Sequence, residues 1–503
     1  MSGKSVSLVD IIADFETCDN LVTFLDARGV TDIRYSELYQ AVKAQAAEYA
    51  AIGVVSGDRV VMALDSSQVS VVRFLALLLL GAVPVSIKPT IPYGDYREYV
   101  RQILRQQNAR AYLGSQAGSL TVIDSDGCAE SRSVEDLSQA RNIAFVQYTS
   151  GSVAEPKPVP LSHEAVMHNI RGVNRKYGRS QGDCMLNVIP LCHDMGLVGG
   201  LLTSIVERHN LLIVDSKWFL RSPVSVLEFS RTRNVTTAPL PNFVVRYITR
   251  ILRHTAKSKL PYFERWTSIY VGSEPIRREM VEDFISAGAD FGLNPNALIF
   301  SYGMAEASLV VCSHRFQNME HSFDATGGLW HANNGKSLDG IEVDLNGQSW
   351  GTYKEIRVRG KSLFEMPAAS DQQTDGWYHT GDVGYLKNRD LYVVGRARDY
   401  VIVDGCNVHA ADIEQVLCDA IGLAETVIQP VNGRLCVWLV TKRTDWSDFA
   451  EVKKILKKCF TVTNPFVDTI RPGHVVRNAS GKIVKDLTVK RLMRKSCVML
   501  AEL

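Results

Sequence analysis

The sequence predicts an α/β fold, with a large domain over residues 1–395 and a small α+β domain over residues 396–503. Three observations predict this class. Short β-branched segments alternate with helical patterns in the first half, strand-like segments follow a stretch rich in Gly, Asp and Asn at 325–351, and a helix–strand–helix order follows Gly395. Strands that alternate with helices are typical of parallel sheets covered by helices. The length of 503 residues allows two to four packing units, at roughly 100–200 residues per domain.

The first half contains an amphipathic helix and several strand-like segments. The helix is predicted over 36–52, where Ser36 is a suitable N-cap and Glu37 lies in the first turn. Strands are predicted where β-branched residues cluster, at 59–64, 82–87 and 119–124.

The second half changes its pattern twice. Gly, Asp and Asn gather at 325–351, and the pattern changes again at Gly395–Arg398, where we place the main domain boundary. The elements predicted in this half are strands at 355–360 and 390–395, a helix at 410–419, an apolar stretch at 435–441 and a lysine-rich helix at 449–459.

The composition excludes several classes of protein. With 46% hydrophobic and 22% charged residues, the chain can bury a large core, which excludes intrinsic disorder, collagen-like repeats and disulfide scaffolds. The formal net charge of +2 predicts neither nucleic-acid nor membrane binding. The longest apolar run, 74–87, contains Gly81 and Pro84 and is shorter than the ~20 residues of a membrane-spanning helix.

Cysteine usage and the first residues predict the compartment. The ten cysteines form no CxxC pair and no zinc-like cluster with histidine. The N-terminal segment MSGKSVSLVDIIADF has no basic region followed by a sustained apolar stretch, so no signal peptide is predicted. We therefore expect a cytoplasmic protein with reduced thiols.

Charge is distributed unevenly along the chain. From Lys442 onward there are 14 Lys and Arg residues against 6 Asp and Glu residues, so this segment is basic and the remainder is slightly acidic. Solvated helix faces are one interpretation, and a surface that binds an acidic partner or a polyphosphate is the other.

Residues 148–158, YTSGSVAEPKP, form a polar turn directly after the strand-like segment FVQY. Backbone N–H groups, hydroxyls and an ammonium group in such a turn suit a triphosphate. The residues that supply them are Thr149, Ser150, Gly151, Ser152 and Lys157. The pattern GxxxxGK[ST] is absent, so this is not a Walker A loop. Alone, the turn is typical of an ordinary surface loop, and only its order among further motifs favours a phosphate site.

Six further motifs follow in a fixed order. They are PLCHDMGLVGGLL (190–202), VGSEP (271–275), SYGMAEASLVV (301–311), WYHTGDVGYL (377–386), GRARDYVIVDGCNVHAADIE (395–414) and NASGKI (478–483). Together, this series resembles the adenylate-forming superfamily of acyl-CoA synthetases, luciferases and nonribosomal adenylation domains. Within that superfamily, HDMGL and GSEP are most similar to fatty acyl-AMP ligases, which act as acyl–acyl carrier protein synthetases. The resemblance extends from RFLALLLLGAVPVSIKP (73–89) to Lys482.

The resemblance implies more about the fold than the residue patterns do. It implies two helix-covered sheets and a small β-barrel-like subdomain in the large domain, and it implies that the small domain is mobile. Arg398 occupies the hinge position, where the family commonly has Asp or Lys; hinge residues absorb changes in φ and ψ and need not be small.

The resemblance also implies a nucleotide site. Beyond the phosphate turn, the residues implied to bind ATP or AMP are Gly272, Ser273, Glu274, Ser301, Tyr302, Gly303, Met304, Asp382 and Arg396. Gly272 would let the backbone approach the base, and Tyr302 would offer an aromatic face to the adenine ring. Asp382 would accept hydrogen bonds from the ribose hydroxyls, and Arg396 would meet ribose or phosphate.

Two further residues are implied to act on the phosphates. Glu306 would ligate Mg²⁺, a hard cation that takes carboxylate and phosphate oxygens. Lys482, in a flexible Ala-Ser-Gly-Lys turn, would carry an ammonium group to the charge that develops at the α-phosphoryl group. A solvated lysine in a basic segment is the alternative for Lys482.

The acyl substrate is implied to lie beside HDMGL. His193 would orient the incoming carboxylate, although a buried structural histidine is the alternative. A His193–Asp194 metal pair is not favoured, because further ligands are not arranged nearby. Asp194, Gly199 and Gly200 would line an acyl pocket with His193, although the two glycines could equally allow close helix packing.

The sequence departs from the family in two places. Val153, Ala154 and Pro158 stand where the family has a hydroxyl residue and two glycines, and proline lacks an N–H group. Fatty acyl-AMP ligases also usually carry an insertion late in the large domain, for which the segment between Gly360 and Trp377 has no room. The first departure leaves a non-catalytic protein open, and the second leaves the thiol acceptor open.

The predicted reaction is the ATP- and Mg²⁺-dependent activation of a fatty acid as acyl-AMP, with release of pyrophosphate. Transfer of the acyl group to the phosphopantetheine thiol of an acyl carrier protein, supplied in trans, would follow. An acyl-CoA ligase or an amino-acid adenylating enzyme is the alternative within the superfamily. A nucleotide- or acyl-binding protein without catalysis is the alternative from another class.

Overall fold

The computed structural model describes residues 6–91, 95–114, 121–122, 142–148, 157–256, 260–326, 329–350, 353–365, 373–403, 406–421, 425–431, 434–442, 449–460, 462, 465–477 and 483–495. Over these ranges the protein is built from mixed sheets with helices packed against them. The α/β fold that the sequence predicts is therefore confirmed.

The helices are numbered in chain order. They are α1 (Leu8–Ala13), α2 (Tyr35–Ala51), α3 (Gln68–Leu80), α4 (Tyr96–Gln106), α5 (His163–Tyr177), α6 (Asp194–Gly196), α7 (Thr203–Glu207), α8 (Ser216–Arg221), α9 (Pro223–Thr232), α10 (Asn242–His254), α11 (Arg278–Ala289), α12 (Met319–Ser322), α13 (Ala410–Ile421), α14 (Phe449–Phe460) and α15 (Lys485–Lys495). A π-helix, Leu197–Leu202, joins α6 to α7, and 3₁₀ turns occur at Asp14–Thr17, Pro295–Ala297, Ala305–Ala307, Ala397–Asp399 and Pro472–His474.

The strands are also numbered in chain order. They are β1 (Leu21–Asp26), β2 (Gly29–Arg34), β3 (Arg59–Ala63), β4 (Val83–Ile87), β5 (Ala111–Leu113), β6 (Thr121–Val122), β7 (Ile143–Tyr148), β8 (Pro158–Ser162), β9 (Cys184–Asn187), β10 (Asn210–Val214), β11 (Thr237–Pro241), β12 (Ser268–Gly272), β13 (Leu298–Gly303), β14 (Val310–Arg315), β15 (Phe323–Thr326), β16 (Leu329–Ser337), β17 (Ile341–Asp344), β18 (Ser349–Trp350), β19 (Tyr353–Gly360), β20 (Gln373–Thr374), β21 (Trp377–Lys387), β22 (Asp390–Arg396), β23 (Tyr400–Val403), β24 (Cys406–His409), β25 (Thr426–Val431), β26 (Arg434–Val440) and β27 (Phe466–Ile470).

The predicted helix over 36–52 is α2, which begins one residue earlier than expected. Its apolar residues bury one stripe of the helix against the core, as a helical period requires. The predicted N-cap Ser36 is wrong. Because α2 begins at Tyr35, Ser36 already lies inside the first turn, and Arg34 occupies the N-cap position. The Arg34 N–H donates a hydrogen bond to the Glu37 carboxylate at 2.9 Å.

The first sheet has six strands in the order β6-β5-β3-β4-β7-β8. The inner pairs are parallel, and the predicted strands at 59–64 and 82–87 are its buried strands β3 and β4. Only Thr121–Val122 of the predicted strand 119–124 falls within the described residues, and these two residues form β6. Helix α3 connects β3 to β4; Ser67 caps its start, and Gly81, in the left-handed conformation, ends it.

The second sheet is larger and changes direction along its length. Its described path runs β17-β19-β21-β22-β16-β14-β13-β12-β11-β9-β10-β1-β2. The strands from β10 to β13 pair in parallel and are almost entirely buried, whereas the strands from β14 onward pair antiparallel. The strands where the β-barrel-like subdomain is predicted form an open antiparallel extension of this sheet in the described residues.

The C-terminal part has its own sheet and core. The predicted helices at 410–419 and 449–459 are α13 and α14, and the stretch at 435–441 is β26, the central strand of β25-β26-β27. The buried side chains of this part form separate clusters. The division into two domains at residues 395 and 396 stays a prediction.

None of the helices in the described ranges is long and apolar enough to cross a lipid bilayer. Among the cysteines whose side chains the structure describes, Cys459 is exposed and the others are buried.

Candidate active site

The candidate site lies at the carboxyl ends of parallel strands. Strands β12 and β13 are parallel neighbours that end at Gly272 and Gly303. The segment after β9 leads through Pro190 to His193 at the start of α6. Because the carboxyl ends of parallel strands meet at one edge of a sheet, three of the sequence motifs converge there.

The backbone after β12 has a constrained conformation. A Cβ atom on Gly272 would lie 2.5 Å from the carbonyl oxygen of Ser301, so only glycine allows these two strands to approach this closely. Ser273 has a φ of +69°, a left-handed conformation that is rare for residues with a side chain, and its hydroxyl donates a hydrogen bond to the Gly272 carbonyl at 2.6 Å. Strain of this kind is characteristic of functional sites.

Three predicted nucleotide-binding residues form one hydrogen-bonded cluster. The Tyr302 hydroxyl donates to Oδ2 of Asp382 at 2.7 Å, and Nε of Arg396 donates to Oδ1 of the same carboxylate at 2.8 Å. Strands β21 and β22 place Asp382 directly opposite Arg396. Thr380 contacts both residues: its carbonyl accepts a hydrogen bond from Nη1 of Arg396, and its hydroxyl accepts one from the Asp382 N–H.

The electrostatics of this cluster follow from burial and from the central carboxylate. The negative charge of Asp382 raises the pKa of Arg396, and burial together with that charge raises the pKa of Tyr302. The cluster therefore presents a neutral phenol, a carboxylate and a guanidinium at neutral pH. Two carboxylate oxygens have about four acceptor sites, so Asp382 retains capacity for further hydroxyl donors.

Glu306 follows β13 in the 3₁₀ turn Ala305–Ala307. Its backbone carbonyl accepts from the Phe364 N–H at 2.8 Å, and its carboxylate accepts from the Tyr378 hydroxyl. The next residue, Glu365, donates its N–H to the Pro160 carbonyl in β8 at 2.9 Å. This connection holds Glu306 near the hairpin of β7 and β8, whose connecting segment contains the predicted phosphate turn.

The residues present fit a nucleotide-bound Mg²⁺ ion. In the described ranges, no group of three or more His, Cys, Asp or Glu side chains is arranged to hold a metal by itself. Mg²⁺ bound to ATP takes most of its ligands from phosphate and water oxygens, so one carboxylate suffices. Glu306 can supply that carboxylate, and its negative charge raises the pKa of Asp194.

The phosphate turn is only partly described. Thr149, Ser150, Gly151 and Ser152 lie outside the described residues, as do Val153 and Ala154. Lys157 is described and exposed. Pro158 pairs with Tyr148 at the first position of the edge strand β8, where a missing N–H is tolerated.

The predicted acyl-side residues have unusual protonation. Burial, and then the charge of nearby Lys88, lowers the pKa of His193 to about 4, so its imidazole is neutral at physiological pH. The Nε2 atom of His193 is buried without a partner. Burial raises the pKa of Asp194 to about 6, and the negative charge of Glu306 also raises it. A hydrogen bond from the Met195 N–H to Oδ1 of Asp194, at 2.7 Å, acts in the opposite direction and lowers this pKa.

Asp194 and Gly199 line a cavity of about 70 Å³, which we call the inner cavity. Its walls are Asn169, Ile170, Val173, Arg179, Asp194, Met195, Gly199, Thr203, Pro239, Tyr270, Gly272, Ser273, Ser301, Tyr302, Gly303, Leu309 and Val310. Gly199 belongs to the π-helix, a distortion that is frequent at functional sites. His193 and Gly200 are absent from these walls, and a Cβ on Gly200 would lie 2.6 Å from Nδ2 of Asn187, so Gly200 permits close packing.

A second, larger cavity of about 220 Å³ adjoins the first, and we call it the outer cleft. It is lined on one side by Glu274, Asp382 and Arg396, and on the other by residues of the C-terminal part, among them Asp412, Glu414, Glu425, Ile483 and Lys485. The inner cavity and the outer cleft share the same wall residues, Ser273, Ser301, Tyr302 and Gly303.

Ion pairs connect the two sides of the outer cleft. Arg277 pairs with Glu414 at 3.1 Å, and Arg246 lies 3.5 Å from Glu274 and 3.8 Å from Glu425. Lys482 lies outside the described residues, although the following Ile483 lines the cleft.

Two further predicted residues lie outside the cavity walls. Arg398 is exposed in the 3₁₀ turn between β22 and β23, the connection between the two parts. Met304 is buried behind the site, with its N–H bonded to the Leu309 carbonyl at 2.9 Å.

Sequence reasoning missed several residues at the site. Lys88 follows β4, and Arg179 and Tyr270 close one end of the inner cavity. The signal for Lys88 was its place at the end of a buried strand. Arg179 had no comparable signal, because a lone arginine after a helix is typical of a surface.

The comparisons with known proteins agree with this geometry. Residues 17–366 match the family described as AMP-binding enzyme, which is most of the chain, and the chain therefore belongs to this family of adenylate-forming ligases. The long-chain-fatty-acid–AMP ligase FadD26 of Mycobacterium marinum is 26% identical over 571 aligned positions, covering 96% of this chain and 96% of the relative. This alignment is longer than the chain, so the relative has segments that this chain lacks.

A second relative and a solved structure have related names. The medium-chain-fatty-acid–[acyl-carrier-protein] ligase JamA of Moorena producens is 26% identical over 395 positions, covering 68% of this chain and 66% of the relative. A chain from a structural study of fatty acyl-adenylate ligases from E. coli and L. pneumophila superposes with a TM-score of 0.80 at 21% identity, covering 97% of this chain and 98% of that one. At this identity the likeness concerns the fold.

Proposed function

We propose that this ligase activates a fatty acid as its adenylate and then transfers the acyl group to a phosphopantetheine thiol. The observation that carries the proposal is the shared wall of the two cavities. A cleft with a carboxylate and a guanidinium suits a nucleotide, whereas the inner cavity has mainly apolar walls, and Tyr302 borders both. An acyl-adenylate has these two halves joined by one mixed anhydride.

The nucleotide half would occupy the outer cleft. Asp382 would accept the ribose hydroxyls while it retains Tyr302 and Arg396 as donors. The tight backbone at Gly272 and Ser273 supports an adenine pocket in which the base lies close to the main chain. Thr149, Ser150, Ser152 and Lys157 would bind the β- and γ-phosphates.

The first step would be an attack of a carboxylate oxygen on the α-phosphorus of ATP. The bond between the α-phosphorus and the bridging oxygen breaks, pyrophosphate leaves, and acyl-AMP forms. Lys482 would stabilise the charge that builds on the α-phosphoryl oxygens. Glu306 would hold Mg²⁺, which when bound supplies positive charge to the phosphates. Because its imidazole is neutral, His193 would orient the carboxylate without forming an ion pair with it.

In the second step, a thiol sulfur attacks the acyl carbonyl and AMP leaves with the electron pair of the broken C–O bond. An acyl carrier protein in trans is our preferred acceptor, because the relative JamA has that partner in its name. The exposed lysines of α14, Lys453, Lys454, Lys457 and Lys458, support docking of an acidic carrier. Rotation of the C-terminal part about Arg398 would switch the site from the first step to the second.

CoA is the second candidate acceptor. The short segment between Gly360 and Trp377 favours it, because the insertion usual in fatty acyl-AMP ligases has no room there.

ATP–pyrophosphate exchange with the full chain tests the first step. We expect exchange with fatty acids and none without acid. No exchange with any carboxylate, despite measurable ATP binding, would contradict the enzyme and support a binding protein. Adding holo carrier protein or CoA to active mixtures then identifies the acceptor by thioester formation.

A further inference from the structure

The inner cavity extends down the face of the large sheet from the shared wall. Gly272 borders the shared wall, and Tyr270 lies two residues earlier on the same face of β12, about 7 Å along the strand. Helix α5 covers this face with Asn169, Ile170 and Val173, and Arg179 follows the helix after the left-handed Gly178. The far end of the cavity is therefore closed by Tyr270 and Arg179.

Arg179 is held in place at this end. Its backbone N–H donates to Oδ1 of Asn174 at 2.8 Å, and its Nε donates to the Tyr270 hydroxyl at 3.1 Å. Its guanidinium carbon lies 4.6 Å from the centre of the Tyr270 ring, within the range of a cation–π contact. Asn174 therefore fixes the backbone of Arg179, and two contacts with Tyr270 orient its side chain.

One donor of this guanidinium has no acceptor. The Nη1 atom of Arg179 is buried without a hydrogen-bond partner, which is unfavourable for a charged group. Two other polar side chains of the cavity, those of Asn169 and Thr203, are satisfied. Asn169 donates to the carbonyls of Ala307 and Val310 and accepts the Val310 N–H, and Thr203 donates to the Val198 carbonyl at 2.7 Å.

The charged groups around Arg179 do not supply the missing acceptor. Glu207 accepts from the Asn174 amide, and both carboxylate oxygens of Asp183 are engaged, by the Ser180 N–H and by the Thr236 hydroxyl. Neither carboxylate forms an ion pair with Arg179 in the described part of the chain. Burial and the charge of Arg179 lower the pKa of His209 to about 4, so this neighbour is neutral.

We propose that Arg179 recognises an oxygen acceptor at the distal end of the acid, so that the substrate is an oxygenated acid and not a plain alkanoic acid. This inference rests on the proposed adenylation. The carboxylate that reacts would lie near the shared wall, where the Ser301 hydroxyl is also unpartnered. A carbonyl, hydroxyl or second carboxylate oxygen at the other end would complete the bonding of Nη1. A site built to bond an oxygen discriminates strongly against analogues that lack it.

The test compares acids of equal length at several chain lengths: the alkanoic acid, its terminal methyl-ketone analogue and its α,ω-dicarboxylic analogue. By ATP–pyrophosphate exchange we expect kcat/KM to be at least about 10²-fold higher for one oxygenated acid than for the alkanoic acid. The ketone and the diacid distinguish a neutral acceptor from a charged one. Arg179→Met should lose this preference, measured as the ratio of kcat/KM between the oxygenated acid and the alkanoic acid.

Arg175→Met is the control, because Arg175 is exposed four residues before Arg179 and pairs with Asp339. Arg179→Lys, which keeps the charge, should retain part of the preference. The same ratios should appear in the binding of acyl-sulfamoyladenosine analogues measured by calorimetry. Equal exchange with all three acids in wild type would overturn the role of Arg179 and leave adenylation intact. The same would follow if Arg179→Met lost exchange by the same factor with each of the three acids. Absence of exchange with every acid would overturn both.

Discussion

The Tyr302 hydroxyl donates a hydrogen bond to the Asp382 carboxylate at 2.7 Å, although the two residues are 80 positions apart in the chain. The bond connects the carboxyl end of the buried strand β13 to β21, in the antiparallel extension of the sheet. Since Arg396 occupies the other oxygen, the carboxylate is fixed from two directions. A group fixed in this way can select one geometry of ribose hydroxyls.

Replacing Tyr302 by Phe keeps the ring and removes this hydrogen bond. We expect the free energy of unfolding to fall by ~1.5–3 kcal/mol, because a charged acceptor loses a buried donor, and the KM for ATP to rise. Urea unfolding and exchange kinetics measure both. Tyr247→Phe is the control, since its hydroxyl bonds the Leu220 carbonyl at an exposed position. Equal effects in the two variants would contradict the importance of the Asp382 contact.

Replacing Lys482 by Ala tests the proposed catalytic cation. We expect the exchange rate to fall on the order of 10²–10³-fold, by analogy with the removal of a donor to a developing oxyanion, while ATP binding changes little. Lys43→Ala, at an exposed position of α2, should retain full exchange. Full exchange in Lys482→Ala would show that this residue is an ordinary surface lysine.

Asp194 should make the protein less stable as the pH rises. Its pKa is raised to about 6 from 3.8, so between these values the folded state binds a proton that the unfolded state has released. The stability that this proton contributes is present below pH 4 and is lost as the pH passes 6. As the pH rises from 4 to 6.5, Asp194→Asn should therefore gain about 2 kcal/mol of stability relative to wild type. Urea titrations at each pH measure the difference, and a constant difference across this range would contradict a proton bound by Asp194 in the folded state.

His193 should have the opposite effect in nearly the same range. Its pKa is lowered to about 4 from 6.5, so the unfolded state binds the extra proton and stability is lost as the pH falls towards 4. As the pH rises from 4 to 6.5, wild type should gain about 3 kcal/mol of stability that His193→Gln does not gain. A constant difference between the variant and wild type across this range would mean that the imidazole is hydrated in the folded protein.

Gly200 should not tolerate a methyl group. Its Cβ would lie 2.6 Å from Nδ2 of Asn187, whose amide is fixed by the Gly196 carbonyl and by the Ile189 N–H. We expect Gly200→Ala to lower the free energy of unfolding by ~1–3 kcal/mol, as overpacking of a core does. Gly473→Ala is the control, because nothing lies within 4 Å of its added Cβ. A stable Gly200→Ala variant with reduced exchange would instead favour a role in the acyl site.

The sequence by itself determined the fold class, the adenylate-forming family and the limits of most elements that could be compared. Buried strands such as β3 and β4 and the helices α2 and α13 follow from local residue patterns, because burial and hydrogen bonding within an element depend on nearby residues. The resemblance also predicted that Tyr302, Asp382 and Arg396 belong to one site, and they form one hydrogen-bonded cluster; their binding of a nucleotide stays a prediction. The N-cap of α2 was missed, because the helix begins at Tyr35 and so includes Ser36 in its first turn.

Only the tertiary structure decided how the site is built. The spacing of Gly199 and Gly200 does not say which of them contacts a cavity, because this depends on the π-helix and on Asn187 across the fold. The pKa values of His193 and Asp194 are set by desolvation and by Lys88 and Glu306, which are distant in the chain. Arg179 has significance only because folding buries one of its donors beside Tyr270 without an acceptor. Long-range contacts fix solvation and distance, and neither is encoded in a local pattern.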